Sequence, residues 1–191
     1  MSEPLTVVCL GDSLTYGFPY GPRYSWVQLV AKNSGLKMIN KGVNGDTTTD
    51  MWLRLERDVL RYKPRATVIM GGTNDVAIGE PVFIICQQIE GMVKLLQEHN
   101  ITPVLGLPIP SCMVFLEEPL TKYRQWLKEF SQSQNIMLLD FYSAMINPET
   151  GLVILEYYLD DVHPSRAGYE AMGRAVLPDF LKLQEQLSGY L

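Results

Sequence analysis

Residues 5–14 read Leu5-Thr6-Val7-Val8-Cys9-Leu10-Gly11-Asp12-Ser13-Leu14. A short apolar, β-branched run that stops at a glycine is the pattern of a buried strand, and the spacing of Trp26, Val27, Leu29 and Val30 beyond it is helical. This sequence of strand, polar turn and helix then recurs. Met38 to Val43 gives a weaker strand, followed by Thr47-Thr48-Thr49-Asp50, whose hydroxyls suit the cap of a helix carrying Trp52, Leu55, Val59 and Leu60. Ala66 to Met70 repeats the opening run and stops at Gly71-Gly72. Ile89, Met92, Val93 and Leu96 mark the next helix, and Thr102 to Leu107 a strand broken by Pro108 and Pro110. Pro119 to Ser133 reads as helix and Ile136 to Leu139 as a short strand ending at Asp140. Ser165 opens a last helix through Ala171, Met172, Val176 and Leu177, which Pro178 is expected to kink or restart. Strands alternating with helices over the whole length predict an α/β fold: one domain over residues 1–191, with a mainly parallel sheet of about five strands between two helical layers.

The bulk properties agree with that class. The chain has 191 residues, of which 47% are hydrophobic and 19% charged, the balance of a soluble globular protein. Folding at this size buries on the order of 70% of the surface that the unfolded chain exposes, so no disulfide or metal is needed to hold it together. Sixteen Lys and Arg against 21 Asp and Glu leave a formal charge of −5, with a pI near 5.1. Such a chain lacks the basic field that would hold a nucleic acid or an anionic leaflet, so nucleic acid is excluded as a partner. Cys9, Cys86 and Cys112 are an odd number without paired spacing, which suits free thiols in a reducing, cytoplasmic setting. Met1-Ser2-Glu3-Pro4 carries an acid and no basic residue, and runs such as Val82 to Cys86 are far shorter than a bilayer span. Neither a secretory signal nor integral membrane association is therefore expected. Nothing in the sequence sets the oligomeric state.

In parallel α/β sheets, ligands sit beyond the carboxyl ends of the strands. After the first strand stands Gly11-Asp12-Ser13-Leu14, after the second Gly42-Val43-Asn44-Gly45-Asp46, after the third Gly72-Thr73-Asn74-Asp75, and before the last helix Asp160-Asp161-Val162-His163-Pro164. Each cluster alone is explained by ordinary turn and cap chemistry. Four of them on one sheet edge are not.

These blocks resemble those of the GDSL, or SGNH, serine hydrolases. By that resemblance the family's nucleophile falls on Ser13, its glycine on Gly45, its asparagine on Asn74, and its Asp-x-x-His pair on Asp160 and His163. The resemblance implies a flavodoxin-like α/β/α domain. It also implies hydrolysis of esters or thioesters through an acyl-enzyme, on a small-molecule substrate such as a lysophospholipid or an acyl thioester.

The residue chemistry points the same way. A serine hydroxyl is a weak nucleophile until a neighbouring base takes its proton, and imidazole suits that task at neutral pH. Of the two histidines, His99 lies at a helix end in Gln97-Glu98-His99-Asn100, leaving His163 as the base. Asp160, three positions earlier, is close enough to orient the ring; on residues alone its neighbour Asp161 competes, and the family spacing selects Asp160. The oxyanion formed on attack needs donors, and Ser13 and Gly45 offer backbone N–H groups while Asn74 offers a side-chain amide. Asp12, Asp46 and Asp75 are expected to cap and orient backbone.

Three rival readings remain. Within the family, the main one is carbohydrate deacetylation. A metal-dependent phosphoesterase would use the strand-end aspartates with Asn74 and His163, but such sites draw on several histidines. The third is a non-catalytic binding module that merely retains the fold. No metal is called for, since His163 alone is placed to be a histidine ligand, and no nucleotide cofactor, since no phosphate-binding glycine loop follows a strand. Tyr16, Phe18, Pro19 and Tyr20, Ile109 to Phe115, and Tyr157 to Leu159 are candidate walls of an acyl pocket, with Arg23 as the one cation expected nearby.

Overall fold

The structure is a computed structural model and describes residues 4–189. Its centre is a five-stranded sheet: β1 (Thr6–Gly11), β2 (Lys37–Gly42), β3 (Ala66–Met70), β4 (Thr102–Leu107) and β5 (Met137–Asp140), in the order β2-β1-β3-β4-β5. Every pairing is parallel, with Val8 beside both Ile39 and Thr67, Val68 beside Val104, and Leu105 beside Leu138. This is the flavodoxin-like order, in which the chain reverses its direction of travel across the sheet at β1 and β3.

Because successive strand side chains point to opposite faces, each strand feeds two cores. Val7, Cys9, Val68 and Leu139 face α2 (Trp26–Ser34) and α8 (Arg166–Ser188), packing on Trp26, Val30, Tyr169, Met172, Val176 and Phe180. Val8, Leu10, Ile69 and Leu105 face the other layer, made by α3 (Thr48–Leu53), α4 (Leu55–Asp58), α6 (Val82–Glu98) and α7 (Val114–Ser133). Two short helices, α1 (Ser13–Tyr16) and α5 (Thr73–Ala77), sit directly at the carboxyl ends of β1 and β3. Burial on both faces is why β1 and β3 read as unbroken apolar runs, while β2 at the sheet edge, with Lys37, Asn40 and Lys41, does not.

Three elements differ from the sequence expectation. The helix expected from Thr47 to Leu60 is divided into α3, α4 and a 3₁₀ turn at Leu60–Tyr62, and the break falls at Arg54. Helix α7 begins at Val114, five residues ahead of Pro119, because Leu116 and Leu120 lie four apart on one face and both enter the core. Helix α8 passes through Pro178 without restarting; Tyr169, Met172, Val176, Phe180, Leu183 and Leu187 hold it to the sheet on both sides of the lost hydrogen bond.

Candidate active site

Ser13 is the first residue of α1, so its N–H is one of the first-turn donors that helix geometry leaves without an intrahelical acceptor. Asp12 caps that turn by accepting from Leu14 N at 2.9 Å. Burial pushes the Asp12 carboxyl up to about 7, against the Leu14 bond and with help from the Asp75 and Asp46 charges. The turn is clamped from the side by Gly42 at the end of β2, where a Cβ would lie 2.1 Å from Tyr16 N and 2.7 Å from Asp12 O.

His163 reaches this turn from the segment before α8. Its Nε2 is 3.2 Å from Ser13 Oγ, and its Nδ1 is 2.9 Å from Asp160 Oδ2 and 3.2 Å from Oδ1. The same Asp160 carboxylate accepts from Val162 N at 2.8 Å and His163 N at 2.7 Å, so one side chain shapes the turn and orients the ring. Partial burial opposes ionisation of Asp160, yet these bonds outweigh it and hold the carboxyl below its ordinary range. Leu159 N donates to His163 O at 2.8 Å, closing the loop, and the Phe18 ring lies 4.7 Å from the imidazole. Ser13 is 5% exposed, whereas the His163 and Asp160 side chains are 25% and 49% exposed. Asp161 takes no part in this set: its carbonyl accepts from Cys112 N and Ser111 Oγ and ties down the loop after β4.

The remaining predicted residues arrive on the loops after β2 and β3. Asn74, in α5, donates through Nδ2 to Asp46 O at 2.9 Å, which leaves the second N–H of its amide for another acceptor. Gly45 stands next to Asp46 with φ of +84°, and a Cβ there would meet no protein atom, so the left-handed backbone is what calls for glycine. Asp75 accepts from Thr48 N at 3.0 Å and from Thr48 Oγ1 at 2.5 Å, joining α3 to α5; burial raises its pKa despite these bonds. His99, as expected, ends α6, where its Nδ1 donates to Leu95 O.

One residue here escaped the sequence reading. Arg54, 8% exposed, donates from Nε to Asp46 Oδ2 at 2.5 Å, from Nη2 to Gly11 O at 2.8 Å, and from Nη1 to Lys41 O and Asp58 Oδ2. It therefore links the ends of β1 and β2 to the loop bearing Gly45. Among the described residues no three His, Cys, Asp or Glu side chains gather as a metal site, and no helix is long and apolar enough to cross a membrane.

The order of these blocks along the chain has a counterpart among known proteins: the model of the GDSL-like lipase/acylhydrolase family matches residues 9–171. The chain belongs to this family. A solved structure of a protein described as lipolytic and of the G-D-S-L family, from Desulfitobacterium hafniense, superposes with a TM-score of 0.85 at 28% identity, covering 91% of this chain and 98% of that one. Among curated relatives, an acetylxylan esterase from Geobacillus stearothermophilus is 25% identical over 164 residues, 79% of this chain and 75% of the other. The lipoprotein YqeF of Bacillus subtilis is 38% identical over 117 residues, 54% of this chain; the match spans about half of YqeF, 48%.

Proposed function

We propose that this chain hydrolyses carboxylic esters through an acyl-enzyme formed on Ser13. The observation that carries the reading is the continuous contact from Ser13 Oγ to His163 Nε2 and from His163 Nδ1 to Asp160. In the first half-reaction, His163 Nε2 takes the Ser13 proton as Oγ attacks the carbonyl carbon. The bond to the leaving alcohol then breaks, and the imidazolium returns the proton to the alcohol oxygen. Water repeats the sequence on the acyl-enzyme: His163 accepts its proton, the acid leaves, and Ser13 regains its hydrogen. Asp160 holds the ring in the tautomer with its proton on Nδ1 and stabilises the imidazolium. Ser13 N, Gly45 N and the spare N–H of Asn74 receive the oxyanion.

The substrate is a small-molecule ester or thioester, in a reducing compartment that leaves the three cysteines as thiols. Removal of acetyl groups from carbohydrate is the second reading, favoured by the acetylxylan esterase relative. A panel of p-nitrophenyl esters, acyl-CoAs, lysophospholipids and acetylated xylo-oligosaccharides separates these substrate classes. Ser13→Ala is expected to lower turnover of the accepted substrate by at least about 10³-fold, and a fluorophosphonate is expected to add mass at Ser13. Undiminished hydrolysis by Ser13→Ala would overturn the mechanism, and activity lost to EDTA would favour a metal route.

A further inference from the structure

Of the cations in this acidic chain, four come together in a cleft that none of Ser13, Gly45, Asn74, Asp160 and His163 lines. Arg23 follows the nucleophile turn, Lys32 lies on α2, and Arg166 and Arg174 lie on α8; all four line one cleft of about 430 Å³. The sequence expectation set Arg23 beside the walls of an acyl pocket; the structure places it in this cleft, where the packing of α2 against α8 brings three further cations that the order of residues does not show.

Among the described residues the only carboxylate lining the cleft is Glu170, which pairs with Arg174 at 3.1 Å. Arg23, Lys32 and Arg166 have no ion-pair partner among the described residues. Arg166 is held instead by aromatic faces: its guanidinium carbon lies 4.5 Å from the centroid of Tyr24 and 5.0 Å from that of Tyr20. Stacking of this kind fixes the plane of the guanidinium while leaving its N–H edge free, the condition under which arginine recognises phosphate with two parallel hydrogen bonds. Like charges brought into one concave space repel each other, and a bound anion relieves that repulsion. The cleft volume suits a small ligand.

We propose that this cleft is a binding site for a compact anion with two or more negative charges, of the diphosphate class, held by Arg23, Lys32, Arg166 and Arg174. None of Ser13, Asp160 and His163 lines it, and it does not depend on their assignment. Tyr169 is the wall between the two: it lines the cleft, and its hydroxyl donates to Phe18 O at 2.9 Å.

Calorimetric titration of the protein with sodium pyrophosphate at low ionic strength tests the proposal. The expected result is one saturable site that weakens as sodium chloride is raised. Lys32→Gln combined with Arg174→Gln is expected to weaken binding at least tenfold, with the fold retained and ester hydrolysis unchanged. Glu170→Gln removes the one carboxylate and is expected to tighten binding several-fold, a gain that damage to the fold cannot mimic. Absence of saturable binding, or equal binding by the double variant, overturns the site. Binding to phosphatidylglycerol vesicles without binding of free pyrophosphate also overturns it, since the face would then serve a lipid surface.

Discussion

Arg54 shows how a residue remote from the proposed chemistry can hold the segments that would carry it. Its guanidinium satisfies acceptors on three segments at once, and Asp46, which it grips, presents its carbonyl to Asn74. Arg54→Met leaves buried acceptors without a donor, at a cost of about 3–5 kcal/mol, and frees the loop bearing Gly45. Ester turnover is expected to fall about 10²-fold, the scale of one lost oxyanion donor, with partial recovery in Arg54→Lys. Steady-state kinetics and urea unfolding of both variants check this, and full activity in Arg54→Met would refute it. Asp12 offers a second test. With its pKa raised to about 7 from an ordinary 3.8, the folded protein keeps a proton that the unfolded chain has released anywhere between those values. Stability therefore declines as pH rises through that window, by up to about 1.4 kcal/mol per unit. Asp12→Asn retains an acceptor for Leu14 N and is always neutral, so its advantage over the native protein should grow from pH 4 to 7 and then level off. Unfolding midpoints across that range would show it; a constant difference would contradict it. Ser13, Gly45, Asn74, Asp160 and His163 were legible because each stands in a short polar block at a strand or helix boundary. Arg54 was not, since Gly11, Lys41 and Asp46 belong to other segments, its pairing with Asp58 four residues on reads as an ordinary helix-surface pair, and nothing in an arginine between two leucines marks it as buried.

At the scale of elements, the departures from expectation share a cause. Periodicity and proline rules describe a segment in isolation, whereas α7 and α8 are held by faces that bury leucines, tyrosine and phenylalanine on either side of their prolines. A lost backbone bond of about 1 kcal/mol is small beside several buried side chains at about 1.5–3 kcal/mol each. The division of α3 from α4 follows the same logic, with Arg54 at the junction taken by its buried acceptors. The contact between β2 and α1 gives the prediction that belongs here. Gly42→Ala places a methyl group against the backbone of Tyr16 and Asp12, so the turn carrying Ser13 must move. Overpacking of this kind costs about 1–3 kcal/mol, and activity is expected to fall further than the change in Tm accounts for, because a displacement of about 1 Å at a reacting group is itself costly. An active variant with only a lowered Tm would show that α1 absorbs the shift.

For the molecule as a whole, the five parallel strands and two helical layers were legible from alternation alone, while the strand order was not. Order depends on which crossovers lie on which face, and every β-helix-β unit looks alike in one dimension. The two cores differ in content: Trp26, Phe141, Tyr169 and Phe180 gather on the α2/α8 side. Trp26 lies fully buried there, 4.8 Å from the Phe141 ring. Trp26→Ala is expected to cost about 3–5 kcal/mol in urea unfolding, whereas Trp26→Phe keeps most of the packing and removes an indole N–H that has no partner among the described residues. If the two variants proved equally destabilised, packing would not be what this side chain supplies.

Ser13 and His163 touch across 150 positions of chain. During synthesis Ser13 emerges from the ribosome long before His163, and at about 5–20 residues per second the interval is of the order of ten seconds or more. Throughout that time the β1 turn has no base beside it. On the proposed mechanism, a nascent chain that already carries most of its sheet cannot yet turn over an ester, and the onset of hydrolysis would report the arrival of His163 beside the β1 turn.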